Sequence, residues 1–319
     1  MDLTEIYQKG AAFFESKEFG FLLDYVETGF IKENDRRIID RFTFRQQCIG
    51  AREAHTACSV LGVELTAPVI MSSMTMPIPA IADDALLQLA RGLKAAGSLM
   101  WTGTPIPKNL KEIARTGVPL VANVKPFTDR AKMQADIDTI IESGVTWLGI
   151  EVDVGVGTKV ADKEMGFECT PFTTKEIEEI KKRIRVPLAC KGVLSREDAL
   201  KCVEAGADII VVSSHGGHTL DYLPHPFQVM DEIVSAVKNN VVIMVDGGFR
   251  RGSDVLKGLA FGASLIGLGR PILHGLAAGG EAGVKDLICG ITRELQRLMT
   301  MVGAADPSSV QRDILIKRD

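Results

Sequence analysis

His215 ends an apolar run, Ile209-Ile-Val-Val-Ser-Ser-His215, and two glycines follow it. Histidine's ordinary pKa of about 6.5 lets it take and return a proton near neutral pH. Asp153 closes another apolar run, Trp147-Leu-Gly-Ile-Glu-Val-Asp153. A carboxylate there can orient the imidazole and stabilise its protonated form, as in a hydrolytic triad. The plainer alternative is a structural histidine that bonds a loop carbonyl. Lys191 lies inside a third run, Leu188-Ala-Cys-Lys-Gly-Val193. A lysine among buried apolar residues is costly without a function or a partner. An internal ion pair to a carboxylate such as Glu151 is the competing explanation. Asn123 and Lys125 end a fourth run. Taken together, these groups favour a catalytic mouth.

A second constellation suits an anion. Val241-Val-Ile-Met-Val-Asp-Gly-Gly248 and Leu265-Ile-Gly-Leu-Gly-Arg270 end in glycines, with Arg250 and Arg270 beside them. Gly247, Gly248, Gly267 and Gly269 let backbone approach a ligand closely, and the helices that follow offer free N–H groups. The arginines add charge and directed donors. The alternative is tight turns flanked by solvated arginines; agreement between two run ends favours phosphate. These residues alone leave open whether the phosphate belongs to a substrate or to a cofactor.

Such groups need elements to hold them. Eight short apolar runs occur, at 68–73, 98–103, 120–125, 147–153, 188–193, 209–215, 241–248 and 265–270. Runs of this kind suit strands buried on both faces of a parallel sheet. Between them the 3.6-residue period predicts helices over 84–96, 129–143, 173–183, 195–205, 226–238 and 252–261. Ser195 and Thr173 are N-caps, and Gly206 and Gly262 are stops. Eight strands alternating with helices predict an α/β fold, a (β/α)8 TIM barrel; an open doubly wound sheet is the alternative, since periodicity does not show closure. Residues 1–60 read as an N-terminal helical cap, with Asn34 to Asp40 as an exposed charged face. Residues 61–319 read as the barrel, the whole forming a single domain.

Composition narrows the classes further. The 319 residues are 46% hydrophobic and 24% charged, with a net charge of −4, which suits a globular protein and gives no support to nucleic-acid binding. No two of the six cysteines lie close enough to suggest a zinc site or a redox pair, and free thiols in a reducing cytoplasm are expected. No metal is expected. The first ten residues lack the apolar core of a signal peptide, and no apolar run is long enough to span a membrane.

The segments Lys191-Gly-Val-Leu-Ser-Arg-Glu-Asp-Ala199, Val212-Ser-Ser-His-Gly-Gly-His-Thr-Leu-Asp221 and Val245-Asp-Gly-Gly-Phe-Arg-Arg-Gly-Ser-Asp-Val-Leu-Lys257 occur in series. Gly267-Leu-Gly-Arg-Pro271 and Gly279-Gly-Glu-Ala-Gly283 follow. The series resembles the FMN-dependent 2-hydroxy-acid oxidases and dehydrogenases, typified by glycolate oxidase and lactate oxidase. The likeness is strong from about residue 186 onward and traceable earlier, at Asp24 to Gly29 and Glu33-Asn34. It implies FMN as cofactor and two-electron acceptor, and oxidation of a 2-hydroxy acid or related compound to the carbonyl. His215 would be the base, Asp153 its partner, and Lys191 the cation beside flavin N1 and O2. Ser73, Asn123 and Ser213 would contact the cofactor, and Asp246 its ribityl chain. Gly247, Gly248, Arg250, Gly269 and Arg270 would hold its phosphate. Tyr25 would reach over the mouth toward substrate. The resemblance also implies a small-molecule substrate and a homo-oligomer, often a tetramer.

The departures fall on the substrate side. His218 stands where the family carries a carboxylate-clamping arginine, and an imidazole lacks the bidentate fork. Lys125 replaces a tyrosine, and Lys159 replaces a second arginine. Glu151 replaces a threonine near the flavin. A carboxylate would then be held by Lys125, Lys159 or protonated His218, or the substrate would not be a simple 2-hydroxy acid. The remaining alternatives are a non-redox isomerase and a non-catalytic FMN-binding protein. Met71, Met74 and Met76 either line the flavin face or fill core. Trp101 and Trp147 are expected in the core, and His55 and His274 are expected to be non-catalytic.

Overall fold

The structure is a computed structural model. It describes residues 1–19, 23, 25–76, 78–155, 168–237 and 240–318. The chain begins with helices α1 (Leu3–Ser16) and α2 (Phe30–Ile39) and strand β1 (Phe42–Phe44). Strands β2 (Cys58–Val60) and β3 (Val63–Leu65) pair antiparallel. Leu61 and Gly62 join them, both at positive φ (45° and 80°), as a tight two-residue hairpin requires. Helix within residues 1–60 is thus α1 and α2. Residues 42–44 and 58–60 are strand, because their apolar–polar alternation buries one face only.

Strand and helix then alternate. The first half is β4 (Val69–Met71), α3 (Ala85–Ala95), β5 (Met100–Thr102), α4 (Leu110–Arg115), β6 (Leu120–Val124), α5 (Arg130–Glu142) and β7 (Trp147–Glu151). The second half is α6 (Thr174–Arg183), β8 (Leu188–Val193), α7 (Arg196–Glu204), β9 (Ile209–Val212), α8 (Met230–Val237), β10 (Val242–Val245), α9 (Gly252–Ala260) and β11 (Leu265–Leu268). Helix α10 (Arg270–Met301) follows, kinked at Gly279 and Gly280, and strand β12 (Leu315–Lys317) pairs antiparallel with β1.

The eight parallel strands run in the order β4-β11-β10-β9-β8-β7-β6-β5. Backbone bonds join the two ends: Met71 N donates to Leu99 O and Met74 N to Trp101 O, each at 3.1 Å. The sheet is a closed (β/α)8 barrel, as expected. Each strand buries both faces. Val69 and Met71 pack outward under the helices, whereas Ile70 packs inward with Trp101, Trp147 and Met244. Val60, Val63 and Leu65 of the hairpin join that inner cluster and plug the end of the barrel where the strands begin. Thr173 and Ser195 cap α6 and α7 by accepting from Glu176 N and Asp198 N. Among the described residues no helix is long and apolar enough to cross a membrane, and no cluster of metal-ligating side chains occurs.

Candidate active site

The strands end at one mouth, where a cavity of about 1090 Å³ opens. That is just above the usual range of small-molecule sites, about 300–1,000 Å³. The N-terminal segment supplies one wall through Tyr7, Tyr25 and Asp35.

Beyond β9 the backbone makes three successive left-handed residues, His215 (φ 54°), Gly216 (62°) and Gly217 (77°). Left-handed geometry costs a non-glycine residue about 1–2 kcal/mol. Here it is held by His215 N donating to Ser213 Oγ and by Gly217 N donating to Ser214 O, both at 3.0 Å. The turn aims His215 into the cavity with Nδ1 2.9 Å from Asp153 Oδ2. Burial pushes the Asp153 carboxyl up. The His215 ring beside it and the Lys191 charge reverse this, holding it below the usual carboxylate range. Gly192 makes room for Asp153: a Cβ there would lie 2.1 Å from Asp153 Cγ.

Lys191 is 3% exposed and lines the cavity. Its neighbour in register on β7 is Glu151, but no carboxylate among the described residues lies within 4.0 Å of its ammonium. The ion pair that would have made it merely structural is therefore absent there. Glu151 is also buried and lines the cavity; Oε1 accepts from Asn123 Nδ2 at 3.1 Å, while Oε2 has no partner among the described residues. Asn123 Nδ2 also donates to Ser73 Oγ at 2.8 Å, and Asn123 Oδ1 accepts from Trp101 Nε1 at 2.6 Å. Asn123 is fully buried, so it stands one layer behind the wall that Ser73 and Glu151 form. Ser213 likewise sits behind the wall and acts on the His215 backbone.

At the other end, Gly247 (φ 113°) and Gly248 (75°) turn the chain after β10. His225 pins that turn: its Nε2 lies 3.2 Å from Gly247 O, and its Nδ1 accepts from Phe227 N. Burial drives the His225 pKa down to about 3, so the ring is a neutral strut. Arg250 N donates to Asp254 Oδ2 at 2.9 Å, and Arg36 donates to both Asp254 and Gly248 O. Tyr7 donates to Arg250 O. Helices α1, α2 and α9 thus fix the cradle's backbone. The Arg250 guanidinium makes no hydrogen bond or ion pair with any described residue. Gly269 opens α10, and a Cβ there would meet no described residue within 4 Å, which leaves space for a ligand. Arg270 does more than face an anion. It donates to Gly216 O at 2.8 Å, and its guanidinium lies 3.9 Å from the Tyr25 ring centroid. This ties both ends of the cavity to Tyr25. Burial raises the Tyr25 pKa, against the Arg270 charge. The His218 ring centroid is 6.5 Å from that of Tyr25.

These residues fit a long polar ligand with a phosphate at one end. Ser72 Oγ, Glu151 Oε2 and Asp246 Oδ1 are buried, line the cavity and lack partners among the described residues, as expected of groups awaiting a ligand. Lys125 is buried and lines the same cavity; Lys159 lies outside the described residues. Met74 and Met76 line the cavity, whereas Met71 points outward into core. The expected exposed face of α2 requires correction. Asn34 and Asp35 are buried at 4% and 3% exposure, because the helical period places them on the stripe of Ile31, Ile38 and Ile39. Sequence reasoning also missed the roles of Arg36 and Trp101, which act on backbone or on other side chains.

The family model described as FMN-dependent dehydrogenase matches residues 14–171 and 160–317. The chain belongs to that family. FMN is the family's cofactor, and the cavity suits it. Peroxisomal (S)-2-hydroxyacid oxidase GLO3 of Arabidopsis thaliana is 45% identical over 142 residues, 44% of this chain and 39% of that relative. The chain therefore spans well under half of GLO3's length in that match. L-lactate oxidase of Nostoc sp. is 27% identical over 99% of this chain and 98% of its own length. A solved mandelate oxidase matches with a TM-score of 0.89 at 26% identity, covering 99% of this chain and 98% of its own.

Proposed function

We propose that this family member oxidises the CH–OH group of a 2-hydroxy acid, or of a closely related hydroxylated compound, to the carbonyl. The observation that carries the reading is the His215–Asp153 pair at the cavity mouth, beside a lysine with no carboxylate partner among the described residues. Bound FMN supplies the two-electron acceptor. Asp153 occupies Nδ1 of His215, which leaves Nε2 to take the proton from substrate. Lys191 offers positive charge where the reduced cofactor becomes more negative. Gly247, Gly248, Arg250, Gly269 and Arg270 hold the phosphate, and Asp246 takes a hydroxyl of the cofactor chain. Ser73 contacts the ring, with Asn123 behind it. Tyr25 covers the substrate.

Lys125, Lys159 and His218 would attract a carboxylate by charge, without an arginine's paired donors. That change, together with the unpartnered Glu151 oxygen, favours a second reading in which the substrate carries a hydrogen-bond donor as well as, or instead of, a carboxylate. The proposal extends to a cytoplasmic homo-oligomer, tetrameric as the resemblance implies, which sedimentation velocity would test. The decisive experiment is the anaerobic visible spectrum of the FMN-loaded protein against a panel of 2-hydroxy acids, hydroxy amides and hydroxylated amines. Bleaching by a hydroxy acid supports the first reading, and bleaching only by the others supports the second. A flavin spectrum that no compound bleaches would sink both.

A further inference from the structure

Asp35, on α2, has no part in the scaffold or in the reaction proposed above. It is 3% exposed, and neither carboxylate oxygen has a hydrogen-bond partner among the described residues. A buried carboxylate in that state is costly, so a polar ligand is the natural explanation. Asp35 lines the cavity at its anion end. A Cβ on Gly248 would lie 2.9 Å from Asp35 Cβ and 3.4 Å from its Oδ2, so the carboxyl group lies against the glycine turn itself. The charged and titratable groups that face it are Arg36 on its own helix, Tyr25 ahead of that helix, Asp246 and Arg250 beyond β10, and Arg270 at the start of α10.

An ionised Asp35 would repel a phosphate here and compete with it for Arg250 and Arg270. A protonated carboxyl does the opposite, because only that form has an O–H to give to a phosphate oxygen. We propose that Asp35 is a ligand of the cofactor phosphate and binds it as the neutral acid, so that loading FMN takes up a proton. This rests on the phosphate assignment made above. Burial, opposed by Arg270 and reinforced by Asp246, brings the Asp35 pKa up to about 7. The proton is therefore present below neutrality and must be recruited above it.

The test is titration of the full-length apoprotein with FMN across the range from acid to alkaline pH, read by quenching of flavin fluorescence. Once the phosphate's own ionisation near pH 6 is passed, Kd should hold steady to about pH 7 and then rise about tenfold per pH unit. Asp35→Asn keeps a donor but cannot ionise, so its Kd should stay flat at alkaline pH. Asp35→Leu should bind weakly at every pH. Riboflavin, which lacks the phosphate, should show no such rise with wild type. Calorimetry of wild type at alkaline pH, in two buffers of different protonation enthalpy, should show about one proton taken up per FMN. A flat wild-type profile, no proton uptake, or the same rise with riboflavin would overturn the role of Asp35 and leave the phosphate site standing. Failure to bind FMN at any pH would overturn the phosphate site as well.

Discussion

Asp153→Asn removes a charge while keeping the shape of the side chain. Asp153 and His215 are only 12% and 16% exposed at their side chains, and the contact is 2.9 Å. A hydrogen bond to a charged group in such a setting contributes about 1.5–3 kcal/mol. Its loss as His215 becomes protonated predicts a reduction step slower by about 10- to 150-fold, at 1.4 kcal/mol per factor of ten. The upper end is expected, because an asparagine amide can donate to Nδ1 and leave Nε2 carrying the hydrogen, the wrong tautomer for a base. Asp153 does not line the cavity, so FMN content should be unchanged. The assay is stopped-flow bleaching of the flavin by substrate without oxygen. The carboxyl is held below the usual range, so wild type should show no acid limb from this group near the ordinary value of about 4. Its contribution to stability is present above the unfolded-state pKa and is lost only as pH falls through the depressed one. A bleaching rate equal to wild type would refute the role given to this pair.

Gly192→Ala, which would drive a Cβ into Asp153, should reproduce the kinetic defect of Asp153→Asn and also lower the melting temperature, since residue 192 sits at φ 97°. Kinetics like wild type would show that Asp153 is not where its action requires. Lys191→Met should keep FMN bound but lower its two-electron potential by about 30–60 mV, equivalent to about 1.5–3 kcal/mol; dye equilibration measures it, and an unchanged potential counts against a cation beside the flavin. Asp35, with a folded-state pKa raised from 3.8 to about 7, should stabilise the apoprotein fully below its unfolded pKa, and that stability should fall as pH rises to about 7. The loss is at most about 4 kcal/mol, at 1.36 kcal/mol per pH unit. Denaturant melts of the apoprotein at acid and alkaline pH, compared with Asp35→Asn, would show it, and equal pH dependence in both proteins would exclude it.

The eight strands were legible because burial on both faces leaves continuous apolar runs. Closure was not legible, because it depends on a few backbone bonds between β4 and β5 that carry no side-chain signal. Helix α4 covers only Leu110–Arg115, too short to show a period, and the pattern of α10 breaks at Gly279-Gly280. In the site, polar residues at strand ends were legible because they interrupt apolar runs. What those residues face was harder to read. Asn123 and Ser213 look the same in sequence whatever they touch; the structure places Asn123 against the Ser73 and Glu151 side chains and Ser213 against the His215 backbone. Asp35 was hidden in a run of charges. Its burial follows from lying four residues after Ile31 and three before Ile38, a relation visible only once the helix has a neighbour.

Of the departures from the family pattern, Lys125, Glu151 and His218 line one cavity. Groups that pin the anion cradle come from α1, α2, α9 and the His225 segment, and they act on backbone, so the cradle depends on the whole architecture. Lys125, Glu151 and His218 instead project from strand or loop ends into the cavity. His215 stands between these two regions, its turn tied to Asp153 on one side and, through Gly216, to Arg270 on the other. Evolution of a new substrate preference needs only Lys125, Glu151 and His218 to change, provided the proton acceptor and the cofactor cradle stay where they are. An unpartnered glutamate oxygen and two lysines in place of arginine and tyrosine fit selection for a different hydroxylated compound better than decay of a disused site. Decay would carry no pressure to keep His215 in a left-handed turn or Gly192 open for Asp153.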